Sequence, residues 1–250
     1  MDHLTPPEFV TRDDGVRLAY RHVAGRGPTL VFLPGYMSDM RGGKAQAIAA
    51  WAECEGRAIL RLDYSGCGES SGRFEDGTLD LWCDDALCVI DAVAPGALIV
   101  IGSSMGGWVA LMIAERRSSQ MAGLVGIASA PDFTRWGFSD AEKAEIESEG
   151  ALARPLIDYA PDQMITTRAF WQSGQSNLML QRDIAIACPV RLIHGQNDQD
   201  VPWSVSLDIA ARLRSADVQT ILIKDGDHRL SRNADLAAIV AIIARLTETL

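Results

Sequence analysis

The stretch Leu98-Ile99-Val100-Ile101-Gly102-Ser103-Ser104-Met105-Gly106-Gly107 is the part of this sequence best suited to chemistry. An apolar run gives way to Gly-x-Ser-x-Gly and then to a helical pattern. A sharp strand-to-helix turn strains the backbone at the serine and exposes its oxygen above a sheet. It also sets that oxygen near a helix N-terminus, whose N–H groups favour negative charge. The residues two before and two after must be small, or side chains would collide across the turn. Ser104 is therefore the candidate nucleophile, while Ser103 stands one place too early for the glycine flanks. The plain alternative is a glycine-rich turn with an incidental serine; the strand before and the helix after weigh against it.

A serine hydroxyl is a weak nucleophile at neutral pH and needs a base beside it. Four histidines compete. His3 lies at the N-terminus and His22 in an opening hairpin. His194 closes an apolar run just before Gly195 and reads as a structural turn residue. His228, in Asp225-Gly226-Asp227-His228, follows the last apolar run, on a loop at the carboxyl edge where open parallel sheets place their sites. His228 is the expected base; the alternative is an ordinary surface histidine. A carboxylate must then orient the imidazole and stabilise its charged form. Asp198 and Asp200 both follow the run Val190–Ile193. Asp198 is preferred and completes the chain order Ser, Asp, His, with Asp200 second on spacing. The oxyanion needs backbone donors: the N–H of Met105, and that of Tyr36 in Pro34-Gly35-Tyr36-Met37. Gly35 allows close approach there, and Pro34 has no N–H to offer. Such a set performs acyl transfer to serine and calls for no metal or organic cofactor.

These residues need strands to carry them. Short apolar runs occur at Thr29–Leu33, Ala58–Leu62, Leu98–Ile101, Leu124–Ala128, Val190–Ile193 and Thr220–Ile223. Runs that are apolar throughout are typical of strands buried on both faces of a parallel sheet. Helical patterns separate them at Lys44–Cys54, Leu79–Val93, Gly107–Arg116, Ser204–Leu213 and Ala234–Leu246. Ahead of them, Phe9–Thr11 and Arg17–His22 flank Asp13-Asp14-Gly15, a hairpin signal. The expected architecture is α/β: a mostly parallel sheet flanked by helices, in a single domain over residues 1–250. Residues 133–187 offer no strand candidate and read as a helical cap inserted between βα units. The cap includes a charged helix, Asp140–Glu149, capped by Ser139. Met37, Trp108, Trp136, Phe138, Trp171 and Trp203 are equally suited to lining an acyl cleft and to filling the core. The loop Asp63–Ser70, with two glycines, lacks the pattern of a phosphate cradle and reads as structural.

Composition sets outer bounds. At 250 residues, 48% hydrophobic and 22% charged, the chain can bury a core and is not of disordered type. A net charge of −10 disfavours nucleic acid and anionic membrane surfaces as partners. Five cysteines without metal-ligand spacing suggest reduced thiols. No apolar stretch is long enough to span a bilayer, and the N-terminus lacks the pattern of a secretory signal, so a cytoplasmic location is expected.

Five pieces in this order resemble the α/β-hydrolase superfamily: Leu33-Pro34-Gly35-Tyr36, Asp63 to Ser70, Gly102 to Trp108, His194 to Trp203 and Asp227-His228-Arg229. The resemblance runs over roughly residues 15 to 246, weakest in the cap. Within that superfamily the Val201-Pro202-Trp203 and Asp227-His228-Arg229 pieces are similar to thioesterases acting on palmitoylated proteins, to acyl-glucuronide esterases, and to their bacterial relatives. What the resemblance implies is a serine hydrolase with Ser104, Asp198 and His228 as its triad. Its substrate would be a small-molecule ester or an acylated cysteine. Carbon–carbon bond hydrolases and perhydrolases use similar triads and form the first alternative. A non-catalytic binding protein using the cap cleft is the second.

Overall fold

The computed structural model describes residues 6–155 and 163–249. Its frame is an eight-stranded sheet in the order β1-β2-β4-β3-β5-β6-β9-β10. The strands are β1 (Glu8–Thr11), β2 (Arg17–Val23), β3 (Arg26–Leu33), β4 (Arg57–Leu62), β5 (Leu98–Ser103), β6 (Met121–Ile127), β9 (Val190–Gly195) and β10 (Val218–Ile223). The expected hairpin forms: β1 pairs antiparallel with β2 across a turn in which Gly15 has φ +87°. β2 pairs antiparallel with β4, and every later pairing in this sheet is parallel.

Alternation along the strands divides the core in two. Leu30, Phe32, Ile59, Ile99, Ile101, Val125, Ile127 and Ile193 face α1 (Gly43–Cys54) and α8 (Asn233–Glu248). Val31, Leu33, Leu60, Leu62, Val100, Leu124 and Leu192 face α2 (Leu79–Val93), α3 (Met105–Arg116) and α7 (Ser204–Arg212). Both sets are buried, which is why the runs are apolar at consecutive positions. Helix α3 is buried from Met105 through Ala114, so all but the last two residues of the helix that follows Ser104 lie inside the protein.

The segment between β6 and β9 departs from expectation. It holds α4 (Phe133–Trp136), α5 (Asp140–Glu149) and α6 (Arg168–Ser176), but it is not all helical. Strand β7 (Ala151–Pro155) pairs antiparallel with β8 (Gln163–Thr167) in a separate two-stranded sheet. Residues 156–162, also read as part of a helical cap, lie outside the described residues. The hairpin left no mark in the sequence because Ala-Leu-Ala-Arg-Pro has weak strand propensity, and a small surface hairpin needs no continuous apolar run. The capped helix is as expected. Ser139 Oγ accepts from Glu142 N, the Glu142 carboxylate takes the Ser139 N–H, and Gly150 closes the helix at φ +88°. Arg154 ties the hairpin to that helix. It donates to Glu142 and to the Gly137 carbonyl, and lies 4.4 Å over the Phe138 ring.

Candidate active site

Ser104 stands between the end of β5 and the start of α3 with φ +56° and ψ −122°, a region few non-glycine residues occupy. The turn closes tightly around it. A Cβ at Gly102 would lie 2.2 Å from the Gly106 carbonyl oxygen, and one at Gly106 would lie 2.3 Å from that of Leu33. The need for small residues two before and two after the serine is therefore a matter of backbone meeting backbone. Main-chain bonds hold the strained residue: Ser104 N donates to the Ile127 carbonyl (2.9 Å), and the Ser104 carbonyl accepts from Gly107 (2.9 Å) and Ala130 (3.1 Å).

The loops after β9 and β10 deliver the partners. His228 Nε2 lies 3.0 Å from Ser104 Oγ, and His228 Nδ1 lies 2.8 Å from Asp198 Oδ2. The two loops lean on each other through glycine. A Cβ at Gly195 would meet the Gly226 carbonyl at 2.2 Å, and Asn197 N donates to that same carbonyl (2.9 Å). Asp198 Oδ1 accepts the N–H groups of Asp200 (2.9 Å) and Val201 (2.8 Å). Asp200 thus contributes its backbone to this arrangement while its side chain is exposed, and Asp198 is the carboxylate hydrogen-bonded to His228. Burial alone would push the Asp198 carboxyl up. Hydrogen bonds from His194 and His228, with the charge of His228, outweigh that and hold it well below the usual carboxylate range.

Tyr36 and Met105 both sit beside Ser104. Met105 opens α3, so its N–H has no acceptor within the helix. Gly35 packs so closely that a Cβ there would touch Ser104 Cβ at 3.2 Å. The Tyr36 side chain packs in an aromatic cluster with Phe74, Trp82, Phe133 and Phe170. Its hydroxyl donates to the Ile165 carbonyl at 2.6 Å, fastening this loop to β8 of the cap. All five residues expected from the sequence are therefore gathered at one point.

A cleft of about 380 Å³ opens over the serine, lined by Phe32, Tyr36, Met37, Lys44, Ser104 and His228 among others. Of the residues weighed as acyl lining, only Met37 borders it. Trp108 is fully buried, and Phe138 packs with Ile146 and Leu152 inside the cap. The indoles of Trp136 and Trp171 donate to the carbonyls of Pro131 and Thr134, both at 2.9 Å, and so serve to hold the cap. Asp198, Asp200 and His228 also bring ligand-type atoms within 4.8 Å of one another. In this arrangement both nitrogens of His228 and both oxygens of Asp198 are already engaged.

Two residues here escaped the sequence reading. His194 is no turn residue: it is fully buried, with its Nε2 3.1 Å from Asp198 Oδ2 and its Nδ1 2.7 Å from Ser206 Oγ. Its spacing, four residues before the aspartate at the carboxyl end of a buried strand, was a signal that could have found it. Lys44, in the first turn of α1, lines the cleft and donates to the Arg229 carbonyl; burial pushes its ammonium down to about 8. The loop Asp63–Ser70 is structural, as read. Asp63 accepts from Met40 N and Glu69 N, and burial pushes its carboxyl up to about 6.

Known families and structures resemble this chain over most of its length. The model of the alpha/beta hydrolase family matches residues 30–241. The human mitochondrial palmitoyl-protein thioesterase ABHD10 is 38% identical over 250 residues, covering 98% of this chain and 81% of its own. Among solved structures, the mouse alpha/beta hydrolase domain-containing protein 10 superposes with a TM-score of 0.91 at 35% identity, covering 98% of this chain and 99% of its own. A putative hydrolase from Agrobacterium vitis S4 does so with a TM-score of 0.89 at 36% identity, covering 97% and 100%. With a matching family model over most of its length and full-length relatives above 30% identity, this chain belongs to the alpha/beta hydrolase family.

Proposed function

We propose that this hydrolase cleaves acyl thioesters and carboxylic esters by passing the acyl group through Ser104, with acylated cysteine as the thioester substrate. One observation carries the proposal: the hydrogen-bonded line from Asp198 through His228 to Ser104, at 2.8 and 3.0 Å, ends on a serine held at positive φ. The relatives named as palmitoyl-protein thioesterases support the choice of substrate.

The reaction runs in two halves. His228 Nε2 takes the Ser104 proton as Oγ bonds to the acyl carbon, and the carbonyl electron pair moves onto oxygen. The N–H groups of Tyr36 and Met105 hold that oxyanion, each donor worth about 10²–10³ in kcat. The tetrahedral intermediate collapses, the bond to sulfur or to the leaving oxygen breaks, and His228 returns the proton to the leaving group. A water then attacks the acyl-serine, giving its proton to His228, and the freed acid leaves with Ser104 reprotonated. Asp198 stays ionised throughout, orienting His228 and stabilising its charged form.

The test is kcat/KM on a palmitoylated-cysteine peptide beside a short-chain aryl ester, for wild type and Ser104→Ala. Turnover of both by the wild type, lost in the variant, is the expected result. Cleavage of the ester alone would keep the serine chemistry and remove acylated cysteine from the substrate class. Wild-type rates in Ser104→Ala would overturn the nucleophile.

A further inference from the structure

Asp198 serves two imidazoles with one oxygen. Its Oδ2 lies 2.8 Å from His228 Nδ1 and 3.1 Å from His194 Nε2. We propose that His194 is a positioning residue for the Ser104–His228–Asp198 line: it anchors the Asp198 carboxylate and competes with His228 for the shared oxygen, while Ser206 sets the tautomer that lets it do so. The inference rests on the triad reading given above.

The proton positions follow from the partners. Besides Asp198 Oδ2, His194 Nε2 has the Val201 carbonyl oxygen at 3.1 Å. An ionised carboxylate and a peptide carbonyl can only accept, so Nε2 carries the hydrogen. In the neutral ring Nδ1 is then an acceptor, and Ser206 Oγ at 2.7 Å donates to it. His194 is 0% and Ser206 1% exposed, so neither draws its partners from bulk solvent. The line is continuous: Ser206 donates to His194, His194 and His228 both donate to Asp198, and Ser104 donates to His228. His194 is the penultimate residue of β9 and Ser206 lies in the first turn of α7, so β9 reaches the carboxylate directly and α7 reaches it through the His194 ring.

A carboxylate oxygen shared by two N–H donors stabilises each less than it would stabilise one. The bond from His194 therefore moderates the hold that Asp198 has on the charged form of His228. Removing that donor strengthens the hold and moves the acid limb of the kcat/KM profile to higher pH. A histidine that merely filled space would affect stability and leave the limb in place.

The experiment is the pH profile of kcat/KM on a short-chain aryl ester for wild type, His194→Phe, His194→Gln and Ser206→Ala. His194→Phe should move the acid limb upward by about half a unit to one unit, a part of what one hydrogen bond to a charged group is worth, because the bond removed acts on His228 only through Asp198. His194→Gln, whose amide N–H can reach Asp198, should bring the limb back toward its original position. Ser206→Ala should give a smaller upward shift, because Nδ1 loses the donor that holds the tautomer. Nitrogen-15 NMR of histidine-labelled wild type should show His194 protonated at Nε2, and if His194→Phe does not fold, this readout together with the Ser206→Ala limb carries the test. An unmoved limb in both His194→Phe and Ser206→Ala, or a His194 protonated at Nδ1, overturns the role of His194 and leaves the triad standing. Failure of the triad itself would be seen separately, as activity retained in Ser104→Ala.

Discussion

The carboxyl edge of the large sheet and the cap between β6 and β9 are held by different means. At the sheet edge, backbone meets backbone: glycines 102, 106, 195 and 226 let turns approach so closely that an added Cβ would collide with a main-chain or neighbouring atom. In the cap, side chains do the joining. Tyr36, Trp136 and Trp171 each donate to a main-chain carbonyl, Arg154 bridges α5 and β7, and Phe138, Ile146 and Leu152 form a small core of their own. Geometry set by backbone contact tolerates almost no substitution, whereas geometry set by a few side chains can be altered piecemeal. The edge that carries Ser104, Asp198 and His228 is therefore the tightly constrained part, and the cap is the part that can be varied without dismantling their hydrogen-bonded line.

The largest test of this contrast is chemical. Ser104→Ala should lower kcat/KM on both the acylated peptide and the aryl ester by about 10⁴-fold or more, since removing one member of such a set removes most of its catalysis. Next comes the elbow glycine. Gly102→Ala places a Cβ 2.2 Å from the Gly106 carbonyl, and should cost about 3–5 kcal/mol in urea unfolding or prevent folding. In the cap, Gly150→Ala meets only Arg168 Nη2 at 3.6 Å, so only the positive φ is at stake and the cost should be about 1–2 kcal/mol. Equal costs at the two glycines would erase the distinction between the regions.

Tyr36→Phe probes the seam between them. It removes the donor to the Ile165 carbonyl and should cost about 1–3 kcal/mol of stability. Because the backbone N–H remains, kcat/KM should fall by less than about tenfold; a loss near the 10²–10³ of an oxyanion donor would give the hydroxyl a chemical role. Trp171→Phe should have a smaller effect. It gives up the bond to the Thr134 carbonyl, costs about 1 kcal/mol, and should leave the ratio of long-chain to short-chain rates unchanged, because Trp171 does not border the cleft. A changed ratio would bring the cap into acyl selection. The smallest effect concerns thiol reactivity. Burial pushes the Cys67 and Cys83 thiols up to about 12, so at pH 8 they stay protonated as well as enclosed. Alkylation of the native protein followed by mass spectrometry should modify exposed Cys54 first; early modification of Cys67 would mean that the loop beside Asp63 opens.

The candidate residues Ser104, Asp198 and His228 were legible because each stands in a local pattern at the end of an apolar run. Gly102 and Gly106 report a backbone collision, and the apolar run before them reports a strand. The order Ser104, Asp198, His228 reports which strands end at the same edge. The β7–β8 hairpin was not legible, since neither strand alternates clearly and its pairing partner is set by the fold around it. His194 reads as a turn residue in the sequence because a histidine beside a glycine looks the same whether its ring faces solvent or a buried carboxylate. The aromatic residues of the cap were equally ambiguous: bulk and hydrophobicity are common to cleft walls and to cores, and the indole bonds of Trp136 and Trp171 become visible only with coordinates.

Residue types and spacing were enough to specify a parallel α/β sheet, its elbow serine and the acid and base that follow, because these depend on short-range sterics and on strand periodicity. Packing between distant segments decided the rest: the second imidazole on Asp198, Lys44 in the cleft, and a cap of mixed structure with its tryptophans turned toward their own carbonyls. A hydrogen bond between residues 30 positions apart, as between Asp198 and His228, depends on where two loops are brought together, and no local pattern carries that information.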